Sequence, residues 1–265
     1  MTSVDLDQDE AYERAVLSAR SDPALSPVVQ ASFLEGDDRA ALERFRASEH
    51  WARIARLLRE QGIAPPARVI DFGGGRGLVA GSLATEGFKV VLCEPNLSDV
   101  CGQGAATRLR EAASLSFDIS EGDVAALAGE DFDAAVCRAV LHHVEPLVPV
   151  LTSVRASLRP SGKLICSDEP TIRRRSDLDQ VRRDHPFVQF GVDENALMVR
   201  EYVDALTEAG FAAVSVQFPV AWTDYQNLIR PETPRSIAFA LYWRYRVRST
   251  LFPFPGEVRA IVAEA

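Results

Sequence analysis

Lysine is nearly absent: Lys89 and Lys163 are the only two among 265 residues, so arginine carries nearly all of the positive charge. Basic residues are in the minority, 29 against 38 acidic ones, which leaves a formal net charge of −9. A chain of that sign is repelled by phosphate backbones and anionic lipid surfaces unless its arginines gather locally, which disfavours a dedicated nucleic-acid or membrane-surface binder. Cysteine is also sparse. None of Cys93, Cys101, Cys137 and Cys166 forms a C-x-x-C pair, and three of them (93, 137, 166) sit in or beside apolar runs. Inert core thiols are therefore expected, with no zinc site or disulfide. No apolar stretch approaches the ~20 residues of a membrane span. The acidic start Met1-Thr2-Ser3-Val4-Asp5-Leu6-Asp7 lacks the basic-then-apolar order of a signal peptide. A cytoplasmic protein with no membrane partner is the expectation.

What remains is ordinary globular material, 47% apolar and 25% charged, enough for a sizeable core. The first segment is helical and polar. Asp9 to Arg20 and Asp37 to Glu60 place Leu42, Phe45, Trp51, Ile54, Leu57 and Leu58 at helical spacing. Acidic Asp37 and Asp38 at the start, and Arg56 and Arg59 near the end, suit the helix dipole; Gly62 and Pro65-Pro66 stop it.

From Ala67 short apolar runs alternate with helical stretches. Strands are expected at 69–72, 88–93, 116–119, 132–137 and 163–167. Helices are expected at 77–86, 98–113 and 147–158, the last interrupted by Pro149. This alternation predicts a parallel sheet covered on both faces. A polar, arginine-bearing stretch, Thr171 to Glu194, follows. A helix over 200–209 then leads into a strand over 211–218, an aromatic helix over about 235–250 and a last apolar segment over 258–263.

Asp71-Phe72-Gly73-Gly74-Gly75-Arg76-Gly77 stands where the first strand turns into the first sheet-flanking helix. Glycines there let the backbone turn tightly and approach a ligand. Two readings compete. Gly75-Arg76-Gly77-Leu78-Val79-Ala80 fits G-x-G-x-x-G/A, the dinucleotide loop of an NAD(P)-dependent oxidoreductase. The other takes Asp71 into the motif as D-x-G-x-G-x-G.

In that second form the chain resembles the class I S-adenosylmethionine-dependent methyltransferases. The resemblance runs through several ordered landmarks: the Asp71 loop, Glu94-Pro95 ending the second strand, Gly122-Asp123-Val124 and Phe132-Asp133-Ala134-Ala135-Val136-Cys137. Leu141-His142-His143-Val144 and Leu158-Arg159-Pro160-Ser161-Gly162-Lys163 complete the series, Ser161 replacing the usual first glycine. It covers about 67–218 plus the last strand, and the dinucleotide reading leaves the later landmarks unexplained.

The resemblance implies an α/β, Rossmann-like fold: a seven-stranded, mostly parallel sheet with helices on both faces. Residues 1–66 would form a helical extension and 67–265 the methyltransferase domain, with a helical insertion about 219–256 before the last strand; extension and insertion together would roof the site. It implies S-adenosyl-L-methionine as cofactor. Asp71, Gly73, Gly75 and Gly77 would meet its methionine part, Glu94 and Pro95 the ribose, Asp123 and Val124 the adenine, and Arg138 the methionine end. Four of these residues also suit plainer roles: Asp71 as a cap of the following helix, Glu94 as an ordinary strand-end acid, Asp123 as a turn residue, Arg138 as a surface side chain.

The methyl acceptor implied is a small, polar or sugar-like molecule taking the group on O, N or C. The His185-Pro186 and Glu194-Asn195-Ala196 pattern resembles bacterial members from polysaccharide and natural-product biosynthesis. His142 and His143 lie where substrate meets the methyl group, and a neutral imidazole can take a proton as the nucleophile attacks. His143, His142, Glu169 and His185 are the candidates for catalysis, against simple packing or a place in a solvated turn. His142-His143-x-Glu145 is not a metal-ligand set, so no metal is expected. The aromatic residues Phe239, Tyr242, Trp243, Tyr245, Phe252 and Phe254 would pack on the sheet, form a lid or make a homodimer face. A cofactor-binding protein without turnover is the remaining alternative.

Overall fold

Alternation along the strands splits the molecule into two apolar layers, because successive side chains of a strand point to opposite faces. The computed structural model describes residues 3–120, 123–172, 174–217 and 260–265. On one face Val69, Val90, Leu92, Ala134, Val136, Ile165, Ala260 and Val262 pack with Leu42, Phe45, Ile54, Leu57, Leu83 and Leu109. On the other, Ile70, Ala135, Cys137, Leu164, Cys166, Ile261 and Ala263 pack with Leu151, Val154, Tyr202 and Leu206. All four cysteines are buried free thiols.

The strands are β1 (Arg68–Phe72), β2 (Lys89–Cys93), β3 (Asp118–Ser120), β4 (Phe132–Arg138), β5 (Leu158–Ser167), β8 (Ala212–Gln217) and β9 (Ala260–Glu264). Their order is β3-β2-β1-β4-β5-β9-β8, with β9 antiparallel to both neighbours. The pairings among β1 to β5 are all parallel. A two-stranded parallel piece joins β6 (Thr171–Ile172) to β7 (Leu197–Met198). The order reverses beside β1, and such a switch point opens a crevice at the carboxyl ends of the strands, where ligands of open α/β sheets bind.

Helices α1 (Ser3–Ser21), α2 (Ser26–Ala31), α3 (Asp38–Arg46) and α4 (Glu49–Glu60) precede the sheet. The single helix expected over 37–60 is two, because Ser48 accepts from the Trp51 N–H and caps α4 as a new start. Between the strands lie α5 (Leu78–Thr85), α6 (Gln103–Ala112), α7 (Leu147–Ser157), α8 (Leu178–Asp184) and α9 (Val199–Glu208). α6 starts later than expected, since Ser98 N–H is taken by the Asn96 side chain and Ser98 Oγ in turn accepts from Val100. Pro149 does not interrupt α7: it stands in the first turn, where a missing N–H leaves no helix bond unmade. The expected insertion over 219–256, with its aromatic residues and helix, lies outside the described residues, as do Gly122 and Val258.

Candidate functional site

The loop after β1 owes its shape to close approach. Gly73 has φ +64°, and a Cβ there would overlap Val140 on the loop that follows β4. This brings the glycine loop against the segment carrying His142 and His143. Gly75, at φ +53°, donates its N–H to Glu94 Oε2 at 2.8 Å, while Glu94 Oε1 accepts from Asn96 N at 2.9 Å. Glu94 is thus buried and aimed by two backbone donors, one from the glycine loop and one from the turn just after β2. Burial pushes its carboxyl up, opposed by those two bonds. Each oxygen keeps acceptor capacity, which is what a vicinal diol requires.

Asp71 lies below the loop, 1% exposed. Its Oδ2 accepts from Ala80 N at 2.8 Å, in the first turn of α5, and its Oδ1 has no partner. Burial is the chief reason its carboxyl rises to about 7. Gly77 is the left-handed residue at the head of α5, against Ala106. Pro95 is exposed, Asp123 is exposed and accepts from Ala125 N at 2.8 Å, and the Val124 side chain is spent in the core. Buried Arg76 locks the loop to the N-terminal segment through the carbonyls of Phe33 and Glu35 and the Asp38 carboxylate. An orphaned buried oxygen, a fixed carboxylate and a bare main-chain turn fit S-adenosylmethionine: Glu94 would hold the sugar and the 73–77 turn the amino-acid tail.

The ends of β4 and β5 form the other half. Glu169, 4% exposed, accepts from Val140 N at 2.9 Å, Leu141 N at 3.0 Å and His142 N at 3.3 Å. It also meets His142 Nδ1 at 2.9 Å. With so many donors, Glu169 organises the loop and leaves no oxygen free for a substrate proton. A carboxylate only accepts, so His142 donates from Nδ1 to Glu169 and turns its Nε2 toward Glu194.

That Nε2 lies 4.0 Å from Glu194 Oε2, as does His143 Nε2, and His185 Nδ1 lies 3.2 Å from Glu194 Oε1. Three of the four sequence candidates for catalysis thus converge on Glu194, and the fourth holds one of them. Glu194 is buried, and burial raises its carboxyl. The His143 side chain is 42% exposed; partial burial, then the neighbouring His142 and His185, hold its imidazole well below the histidine range.

Arg138 turns aside, with Nε 3.0 Å from Asp168 Oδ2 and its guanidinium 5.5 Å from the ring centres of Phe33 and Phe45. Asp168 also binds Arg53 Nη1 at 2.5 Å and His50 Nδ1 at 2.7 Å. Burial alone would raise Asp168; the His50 bond and the charges of Arg138, His50 and Arg53 outweigh it and bring the carboxyl down to about 2. This buried cluster ties α4 to the end of β5.

Sequence reading missed Glu194 as a site residue, and Tyr12 altogether. α1 crosses the crevice: Asp9 bonds Asn96 and Glu13 bonds Ser98 on one side, while Gln8 accepts from Asp193 N at 2.8 Å on the other. Tyr12 packs edge-on against Phe187 and feels the charges of Glu194, Arg138 and Glu94; burial first, then Cys101 and the acids, hold its phenol above the usual range. Nothing local in a polar N-terminal helix marks such a residue. A hollow of about 440 Å³ lined by Arg68, Lys89, Asp118 and Phe132 lies at the amino ends of the strands, away from this chemistry.

A family profile described as a methyltransferase domain matches residues 42–216. Ubiquinone biosynthesis O-methyltransferase of Methylocella silvestris is 31% identical over 134 residues, 49% of this chain and 51% of that one. Demethylmenaquinone methyltransferase of Beutenbergia cavernae is 29% identical over 110 residues, 42% of this chain and 44% of that one. The matched region spans about half the length of these curated relatives. An S-adenosylmethionine-dependent methyltransferase from Archaeoglobus fulgidus shares the fold, with a TM-score of 0.54 and 18% identity over 84% of this chain and 97% of that one. No helix among the described residues is long and apolar enough to cross a membrane. The family match covers well over half of the sequence, and the chain belongs to the methyltransferase-domain family of the class I S-adenosylmethionine-dependent superfamily.

Proposed function

We propose that this protein moves the methyl group of S-adenosylmethionine to a hydroxyl oxygen of a small polar molecule. The observation that carries this reading is the convergence of His142, His143, His185 and Glu194 beside the Gly73–Val140 contact. The cofactor supplies a methyl already activated by its sulfonium, so the protein need only position, desolvate and deprotonate. Glu94 and the 73–77 turn would fix the donor. Imidazole and carboxylate lone pairs at His142, His143 and Glu194 face the place where an acceptor enters, and they favour loss of its hydroxyl proton. A nitrogen already carrying a lone pair has less need of such a group. The O-methyltransferase name of the Methylocella silvestris relative agrees with this reading, while the name of the Beutenbergia cavernae relative specifies no acceptor atom.

α1, and with it the extension over 1–66, serves as a roof: it bridges the Asn96 and Asp193 sides and sets Tyr12 between them. An enzyme acting on a small molecule, without nucleic acid, is the reading the net charge of −9 supports, and the cytoplasm is the compartment proposed for it.

The test is release of S-adenosylhomocysteine against a panel of small phenols, sugars and other hydroxylated molecules, with matched amines as controls. Hydroxyl acceptors should turn over, and His143→Ala should lower kcat by about 100-fold while leaving cofactor binding intact. Tight cofactor binding with no turnover on any acceptor would instead mark a binding protein. Turnover confined to amines would reject the oxygen assignment.

A further inference from the structure

Glu194 poses a problem of charge. Its side chain is only 9% exposed, and its ion-pair partners among the described residues are all imidazoles: His142, His143 and His185. Arg182 approaches this residue only at its backbone carbonyl, which it holds at 3.0 Å, while its guanidinium pairs with Asp193. A buried carboxylate normally needs a full positive charge beside it. No lysine or arginine among the described residues pairs with this carboxylate; His142, anchored through Nδ1 to Glu169, turns its Nε2 toward it instead.

We infer that His142, His143 and Glu194 form a binding site for one divalent transition-metal ion of the zinc type, open toward the acceptor side of the cleft. Their ligand atoms all lie within 4.8 Å of one another. On one zinc ion such atoms sit about 3.3 Å apart, given bonds of about 2.0–2.1 Å, so closure needs side-chain movements of about 1 Å. His143, the exposed member, has room to make them. The Glu169–His142 bond is the outer hydrogen bond that metal-binding histidines use to fix the ring and raise its basicity. Two histidines and one carboxylate leave coordination positions open. Sequence spacing offers His142-His143-x-Glu145, but Glu145 is exposed and does not join the cluster, and the fold brings Glu194 in its place.

Resting on the oxygen-acceptor reading, the ion gives the acceptor a chemical class: a molecule with an ionisable hydroxyl, best with a second oxygen beside it, that can enter the open positions. Coordination lowers the hydroxyl pKa. With the ion bound, His142, His143 and Glu194 promote loss of the hydroxyl proton through the metal and not as bases, so the acceptor O–H gives its proton to solvent; its oxygen then forms the O–CH3 bond as the CH3–S bond breaks, leaving a methyl ether and S-adenosylhomocysteine.

The experiment is calorimetric titration of Zn²⁺ alone into chelator-stripped, full-chain protein. One equivalent should bind, with affinity on the order of a micromolar or tighter. Glu194→Gln and, separately, His143→Ala should each weaken binding at least tenfold, while S-adenosylhomocysteine binding stays within about twofold as the check on folding. Absence of saturable one-to-one binding overturns the site. So does binding that survives Glu194→Gln, which would assign the ion to the cysteines or elsewhere. Because the readout is binding, it stands whether or not any acceptor turns over; failure of the oxygen-acceptor reading shows separately, as absent methyl transfer by metal-loaded protein.

Discussion

The two halves of the crevice are built differently. On the reading proposed above, the donor half draws on a short span, Asp71 to Asp123, in which backbone turns and strand-end acids would do the binding. The acceptor half gathers Tyr12, His142, His143, Glu169, His185 and Glu194 from most of the chain's length. A turn that must admit a ligand against bare main chain forces glycine, and forced residues leave a pattern. Side chains that meet only after the sheet has closed are constrained one at a time, and leave none.

The largest effect should fall on the donor half. Glu94→Ala removes the carboxylate that receives Gly75 N and Asn96 N. It also removes the two bonds proposed to the ribose hydroxyls; charge-assisted bonds are worth about 1.5–3 kcal/mol each, so S-adenosylhomocysteine binding by calorimetry should weaken by about 100-fold or more. Gly75→Val should do the same, since β-branched residues do not tolerate φ +53°. Unchanged binding in both variants would place the cofactor elsewhere.

Next comes Glu169→Gln, which sharpens the contrast. The amide keeps one acceptor oxygen where the carboxylate had two, serving three backbone N–H groups and the His142 ring. The expected result is a fall in kcat of about tenfold or more with cofactor affinity nearly unchanged. Glu169 acts through the loop it holds. A loss confined to cofactor affinity would reassign it to the donor half.

Two aspartates, one in β1 and one just past the end of β5, make a third test, because their protonation is linked to folding with opposite sign. Asp71 is raised from 3.8 to about 7, chiefly by burial. Its contribution is present below pH 4 and is lost as pH climbs toward 7, since the unfolded chain ionises first. Asp168 is lowered from 3.8 to about 2, so its contribution is present above pH 4 and is lost as pH falls toward 2. At about 1.4 kcal/mol per unit, urea denaturation should show Asp71→Asn flattening the decline between pH 4 and 7. Asp168→Asn should destabilise by about 2–3 kcal/mol at pH 7 and much less at pH 2. Matching slopes in the parent and Asp71→Asn would mean that Asp71 ionises freely, contrary to its burial.

Much of this was readable in advance. The parallel sheet follows from apolar runs alternating with helices, its seven strands from the family resemblance, and the family landmarks put Asp71, Glu94 and Asp123 at strand ends or turns. Yet residue type did not disclose use: Asp71 caps α5, and Glu169 organises a loop. Arg138 is committed to Asp168. His50 and Arg53 join that cluster from α4 because helix packing on β5 puts them there, and no spacing in the sequence encodes it. Glu194 was legible only as part of an H-P…E-N-A pattern, since its partners lie 9, 51 and 52 positions away.

The smallest effect tests why a motif glycine is a glycine. Gly73 and Ser161 share the same φ, +64°. At Gly73 a Cβ would overlap Val140; Ser161, where the family favours glycine, is exposed and accommodates its side chain. Left-handed geometry costs a non-glycine residue about 1 kcal/mol or more. Ser161→Gly relieves this and returns part of it as unfolded-chain entropy, together with the serine's hydrogen bond to Glu264. A gain of about 0.5 kcal/mol is expected, seen as a rise in Tm of about 1–2 °C with cofactor binding untouched. Gly73→Ser, at the same angle, should lower Tm and cofactor affinity together. Equal, mild effects at the two positions would mean that the backbone angle alone sets the requirement for glycine; unequal ones assign it to the contact with Val140.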